Sequence, residues 1–240
     1  MTAAMTGVAD ALAELTLFNG LDAKTRSRLA GGATLLTAPR GHIVFRDGDP
    51  CAGLHVVVSG QIKLLLHAGN GHEKVFDVIG ADASFGESAL FLDQPHQIAA
   101  EAIIDSQLVL LARTALLREI AMNGDLAMRV IRVLAQRVRC RTHDIKTYVL
   151  FSGTQRVISH LLHEIPDETG VSGAVEVTLS TRKGIIASRL NLTQEHFSRI
   201  LHELTSAALI EVDGQRVRIP NVGRLRACVG SQGLHATLGA

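Results

Sequence analysis

Residues 181–204 read TRKGIIASRLNLTQEHFSRILHEL. Ile185, Ile186 and Leu190 give a first short helix one apolar face, and Ala187 is small enough for a point where two helices cross. Asn191 tolerates the positive φ of a tight turn, and Thr193 has the side chain of an N-cap for a second helix. On that second helix Phe197, Ile200, Leu201 and Leu204 fall inward, leaving Gln194, Glu195, Ser198 and Arg199 on the outer face. Two helices joined by such a turn predict a helix-turn-helix.

The flanks extend the reading. GTQRVISHLLHEI (153–165) places Val157, Ile158, Leu161, Leu162 and Ile165 on one helical face, and PDETG (166–170) ends it. Val175, Val177 and Leu179 alternate with polar residues as in a strand. Ile210 and Val212 face Val217 and Ile219 across an expected Asp213-Gly214 turn. Helix, strand, two helices and hairpin make a winged helix-turn-helix. Glu195, Ser198 and Arg199 then lie near the start of its recognition helix, the part that reaches base edges. Arg suits guanine O6 and N7, Glu accepts from cytosine N4, and Ser contacts a neighbouring base. Arg182, Lys183, Thr193 and Gln194 are expected at phosphates or at the helix entry, where they position without reading. An exposed Glu195–Arg199 ion pair is the alternative use of that surface.

Upstream, Asp125 to Tyr148 contains neither Gly nor Pro and predicts one long helix. Ala127, Ile131, Leu134, Val138, Arg141, Ile145 and Tyr148 follow the 4,3 spacing of a coiled-coil seam, with Arg141 as the departure. A seam of this length predicts a partner helix. From Ala33 to Ala112 the texture is β: IVFR, HVVVSG, QIKLLL, KVFDVIG, IAAEAI and QLVLLA alternate with turns at Asp47-Gly48, Ser59-Gly60, Gly69-Asn70-Gly71 and Gly80. That rhythm predicts a small antiparallel roll. Residues 8–30 read as two packing helices. The expected domains are a roll with N-terminal helices (1–120), a dimerisation helix (121–152) and the winged domain (153–240), an α+β protein.

Of 240 residues, 47% are hydrophobic and 20% charged, which excludes a disordered chain. Aromatics are 3%, too few for a platform that stacks single-stranded bases. Three cysteines, Cys51, Cys140 and Cys228, stand far apart, which fits neither a disulfide framework nor a Cys-x-x-Cys site and suggests a reducing compartment. The first residues lack a basic secretory leader and no run is long enough for a membrane span, so a cytoplasmic protein is expected. The net charge of +1 hides a segregation: residues 1–120 carry 9 basic and 13 acidic residues, 121–152 carry 6 and 2, and 153–240 carry 9 and 8. DNA binding would rest on a few placed cations rather than on bulk charge.

Taken in order, GHIVFRDGDP, HVVVSGQIKL, FGESALF, RVLAQRVRCR, IASRLNLTQEHFSRILHEL and AALIEVDG resemble the CRP/FNR family of bacterial transcription regulators over nearly the full length. The resemblance implies a homodimer that binds a palindromic duplex, with RNA polymerase as a further partner, and leaves open whether it is an activator or a repressor. Glu195, Ser198 and Arg199 resemble the E-x-x-S-R reader of the FNR branch, which implies a TTGA-containing half-site; the CRP branch has Gly in place of Ser198 and Arg in place of Gln194.

The same resemblance frames the effector. Phe85, Gly86 and Glu87 match the FGE of cyclic-nucleotide sensors, but Gln97 and Ile98 stand where those sensors carry an Arg-Ser or Arg-Thr pair. No Arg lies between Arg46 and Arg113. Burying a cyclic phosphate without that charge is costly, so cyclic AMP is not expected; a CRP-type cyclic-nucleotide response stays the alternative. No Cys precedes Cys51, which excludes the N-terminal iron–sulfur cluster of oxygen sensors. FGESALFLDQPHQIAAEA and EHFSRILHEL resemble the DNR subgroup, which implies nitric oxide sensing through haem. Candidate ligands are His42, His55, His67, His72, His96 and His143, and no metal site is fixed by spacing. A cupin-like metal enzyme, the competing class, lacks its His-x-His and Glu and leaves the last ninety residues unexplained. A nucleotide-binding module without DNA function leaves the Glu195, Ser198, Arg199 surface unexplained.

Overall fold

The computed structural model describes residues 7–67, 73–165 and 173–230. The Gly69-Asn70-Gly71 turn, the 166–170 loop and His72 lie outside the described residues. The chain divides into two compact units, Met1–Val138 and Arg139–Ala240.

The first unit opens with α1 (Val8–Glu14) and α2 (Ala23–Gly31); Asp22 caps α2 by accepting from the Thr25 amide at 2.9 Å. Eight strands follow: β1 (Ala33–Ala38), β2 (Ile43–Phe45), β3 (Gly53–Ser59), β4 (Ile62–His67), β5 (Glu73–Ile79), β6 (Ser84–Phe85), β7 (Ala99–Ala102) and β8 (Ser106–Ala112). They form two four-stranded antiparallel sheets, ordered β1-β8-β3-β6 and β2-β7-β4-β5. Between them Phe45, Val57, Ile62, Ile79, Phe85 and Leu108 are buried. The β1 strand and the two-residue β6 are additional to the expected runs, and the run IAAEAI is strand only over Ala99–Ala102. Gly48 and Gly60 take the positive φ their turns require, at 87° and 96°. At the fourth turn that role falls to Asp82 (φ 66°) rather than Gly80.

Two helices escape the periodicity. Between β6 and β7 lies α3 (Glu87–Leu92), which is short, and α4 (Arg113–Met122) follows β8 with no Gly or Pro to mark the change. The long helix α5 runs Gly124–Leu150, two residues beyond the expected end. Its first turns pack on the roll: Leu126 and Val130 are buried with Leu12, Leu29, Leu54, Leu111 and Leu116, and Val133 and Leu134 lie against that cluster. Among the described residues no helix is long and apolar enough to cross a membrane.

Beyond α5, the second unit comprises α6 (Gly153–His163), β9 (Val175–Thr178), α7 (Lys183–Arg189), α8 (Gln194–Ser206), β10 (Glu211–Asp213), β11 (Arg216–Ile219) and α9 (Val222–Gly230). A capping box between Ser152 and Gln155 starts α6. The sheet order β10-β11-β9 puts Val217 opposite both Val212 and Val177. Asp213 pairs with Arg216, so the hairpin turns through Gly214 (φ 59°) and Gln215, one residue later than the expected Asp213-Gly214. One core joins Ile158, Leu161, Ile186, Ala187, Phe197, Ile200, Leu204, Ile210, Val217 and Leu225. In this unit α9 is additional to the expected elements.

Candidate nucleic-acid interface and effector pocket

The turn between α7 and α8 forms as its residues dictate. Asn191 sits at φ 57°, and the Thr193 hydroxyl accepts from the His196 amide at 3.1 Å. Phe197, Ile200, Leu201 and Leu204 are buried and hold α8 down. The opposite stripe is open: Glu195, Ser198 and Arg199 are all exposed and lie within one turn of each other. The Arg199 side chain is 67% exposed and its Nε stands 3.9 Å from Glu203, so its weak ion pair runs up the helix and not back to Glu195. Glu195 and Arg199 thus keep acceptors and donors toward solvent.

Around them Arg182 is exposed as the N-cap of α7, Lys183 is half-buried, and Thr193 and Gln194 are exposed at the start of α8. Gln194 crosses to α7: a Cβ at Gly184 would meet its Oε1 at 2.8 Å. Two further cations, missed in the sequence reading, stand on the wing. Arg216 and Arg218 alternate with buried Val217 and Ile219, and they pair with Glu176 at 3.9 Å and Glu211 at 2.9 Å. The strand alternation alone would have found them.

Along α5 the exposed apolar stripe differs from the expected seam. Ile131, Val138 and Ile145 are 53%, 66% and 63% exposed. They continue with Met128, Ala135, Thr142 and Val149, all exposed, at spacings of 3 and 4. Three residues assigned to the seam turn toward their own chain. Ala127 is half-buried, Leu134 packs on the roll cluster, and the Tyr148 hydroxyl donates to the Arg189 carbonyl. The stripe keeps its first helical row and takes its second from the next column around the helix.

In the roll, Phe85 is fully buried, Gly86 takes φ 95°, and Glu87 is buried at the start of α3. The Glu87 carboxylate accepts from the Ser84 hydroxyl and from the Arg137 guanidinium, whose other nitrogen donates to the Ser84 carbonyl at 2.7 Å. A guanidinium does reach the FGE turn, from α5 and not from the roll sequence. Gln97 is exposed, and the interior beside Gly86 is occupied by its neighbour: a Cβ at Gly86 would lie 3.4 Å from His96 and 3.8 Å from His55 Nδ1.

Those two imidazoles form a buried aromatic group. His96 stacks on Phe45 at 3.6 Å and His55 on Phe85 at 5.0 Å between ring centroids. Burial first, then His96, pushes the His55 pKa down to about 4, and burial lowers that of His96. Both are neutral, and His55 Nδ1 finds no partner. Of the other candidate ligands, His42 and His143 are exposed, and His67 pairs with Glu73 at 3.1 Å. Among the described residues no three His, Cys, Asp or Glu side chains are grouped to hold a metal ion.

Residues 35–123 match the cyclic nucleotide-binding domain family, and residues 155–228 match the Crp-like helix-turn-helix domain. The chain belongs to the CRP/FNR family. Its relatives include the CRP-like cAMP-activated global transcriptional regulator of Mycobacterium tuberculosis, 27% identical over 216 residues, 89% of this chain and 96% of that one. Electron transport regulator A of Shewanella oneidensis is 25% identical over 202 residues, covering 80% of this chain and 77% of that one. The fold is that of FixK2 from Bradyrhizobium japonicum, with a TM-score of 0.70 and 22% identity over 81% of this chain and 96% of that one. This CRP/FNR protein is accordingly a DNA-binding transcription regulator.

Proposed function

We propose that the protein acts as an effector-controlled homodimer that reads a palindromic duplex through Glu195, Ser198 and Arg199, each subunit taking a TTGA-containing half-site. The observation that carries this reading is the exposed row of those three side chains on α8 above four buried anchors. The half-sites fall about one helical turn apart. Arg182, Lys183, Thr193 and Gln194 hold phosphates at the helix entry, and Arg216 and Arg218 extend that grip along the wing. The exposed α5 stripe pairs with its copy in the partner subunit, and RNA polymerase meets the assembled dimer in the cytoplasm. The three expected segments, 1–120, 121–152 and 153–240, supply sensing, pairing and reading. Fluorescence anisotropy with a TTGA palindrome and a scrambled duplex tests this. Specific binding should exceed nonspecific binding by at least about 10³-fold at physiological salt, and equal affinities would refute it.

For the effector we propose haem and, through it, nitric oxide. In support, His55 is neutral, buried and unsatisfied at Nδ1, and His96 lies beside it, so the donor chemistry of an axial ligand is present. The Phe45 and Phe85 rings occupy the adjoining space, so haem requires those rings to move. Bound haem would supply an iron that takes the gas as ligand. Stoichiometric uptake of haem, with a Soret band that shifts on nitric oxide and is altered in His55→Leu, is expected; no uptake discards haem and leaves the DNA reading standing. The CRP-type alternative has Phe85, Gly86 and Glu87 in its favour, but the guanidinium at that turn is already bound to Glu87.

A further inference from the structure

A cavity of about 330 Å³ opens within the C-terminal unit, between the last turns of α5, one face of α6 and the end of α7. Its wall carries Arg139, Arg156, Arg189, His143, His160 and His163. The carboxylate in that wall, Asp144, is held by Arg141 at 2.9 Å. Positive charge therefore dominates a concave surface whose remaining wall includes Leu190 and the Tyr148 ring.

Two buried nitrogens there have no partner. Arg156 spends Nη1 on the carbonyls of Leu190 (2.7 Å) and Asn191 (3.3 Å), but its Nε is unsatisfied. The His160 side chain is 7% exposed and its Nε2 is unsatisfied. Burial, followed by Arg189 and His163, pushes the His160 pKa down to about 4, so the ring is neutral, with Nδ1 3.8 Å from Glu164 and Nε2 open to take a proton and donate when an anion enters.

We infer that this cavity binds a small organic phosphate, its phosphoryl oxygens taken by Arg156, Arg189 and His160 Nε2–H and its carbon body laid against Tyr148 and Leu190. Guanidinium and imidazole N–H groups match phosphoryl oxygens in charge and geometry. The volume exceeds what a bare phosphate fills and lies at the lower end of small-molecule sites. Pairing of α5 with a second copy leaves the cavity open. Cys140, His143, Asp144 and Thr147 face it from one side of the helix, and at about 100° per residue Val138 and Ile145 fall on the other. The inference requires only the C-terminal unit and is independent of which DNA sequence α8 reads.

The chain has one tyrosine and no tryptophan, so its intrinsic emission reports on this cavity alone. Full-length protein titrated with glycerol phosphate, at ionic strength matched with sodium chloride, should show a saturable change in that emission. Glycerol should give none, and inorganic phosphate should bind about tenfold more weakly. Arg189→Gln and His160→Gln should each weaken the glycerol phosphate response about tenfold, and in the wild type the ligand should raise the His160 pKa followed by NMR. A response no different from sodium chloride overturns the proposal, as does saturation unchanged in both variants. Equal affinity for inorganic phosphate overturns the assignment of an organic ligand. If random-sequence duplex saturates the signal and glycerol phosphate does not, the cavity belongs to the DNA-backbone surface and the inference is wrong.

Discussion

The Tyr148 hydroxyl donates to the main-chain carbonyl of Arg189, fastening the end of α5 to the last residue of α7. The bond satisfies a carbonyl at a helix end, where no intrahelical donor is available. Tyr148→Phe keeps the ring and removes the donor. Thermal unfolding should show a loss of about 0.5–1.5 kcal/mol. An unchanged transition would mean that water replaces the hydroxyl at no cost.

Ala208 stands in the left-handed region at φ 53°, just past α8. Its amide bonds to the Thr205 carbonyl at 2.9 Å and the Leu209 amide to the Leu204 carbonyl at 3.0 Å, the paired bonds of a Schellman motif. An alanine in that conformation costs about 1–2 kcal/mol. Ala208→Gly should therefore stabilise the protein by about 1 kcal/mol in urea unfolding, and destabilisation would contradict the strain.

His55 and His160, one in each unit, are neutral in the fold with pKa values near 4, against 6.5 for an ordinary imidazole. Between those values the unfolded chain binds more protons, so stability falls as pH drops through that window and is fully present above it. Each histidine contributes a slope of up to about 1.4 kcal/mol per pH unit. Urea unfolding at a series of pH values should show this loss, and His55→Leu should flatten it for the roll. A flat profile in the wild type rules out buried neutral imidazoles.

The exposed α5 stripe and the expected seam agree at Val138 and make different predictions at Leu134. Val138, 66% exposed, belongs to both, whereas Leu134 packs on the roll. Val138→Glu should yield monomers in sedimentation while leaving the unfolding midpoint nearly unchanged. Leu134→Ala should lower stability by about 1–2 kcal/mol and leave the dimer intact. Monomers from Leu134→Ala would restore the original seam, and an intact dimer in Val138→Glu would rule out both.

Arg199→Ala should cost about 1–3 kcal/mol on the specific site and relax preference at one guanine. Lys183→Ala should weaken every duplex about equally and lower the salt slope by about 1. If Arg199→Ala leaves the specific-to-nonspecific ratio where it was, α8 is not the reader.

The helix-turn-helix was legible because each of its signals is local: the Asn191 turn, the Thr193 cap and the inward row from Phe197 to Leu204. Strand runs were legible from alternation, and the long helix from the lack of Gly and Pro. α3 has too few residues for a period, α4 follows β8 without a break, and α9 contains Gly223, which weakens a helical pattern. The exposed apolar stripe of α5 lies one column from part of the expected seam because apolar spacing alone does not say which row the protein's own roll will cover. Arg137 at the FGE turn was illegible for a different reason: it lies 50 residues from Glu87, and only the fold joins them.

That ion pair has a consequence for any ligand at the turn. An effector that takes the Glu87 oxygen now held by Arg137 must displace that guanidinium. Binding there is an exchange of one cation or donor for another, so the apparent affinity is discounted by the free energy of the pair it replaces. The displaced group belongs to α5, so an effector bound in this way announces itself to the helix by the release of an arginine.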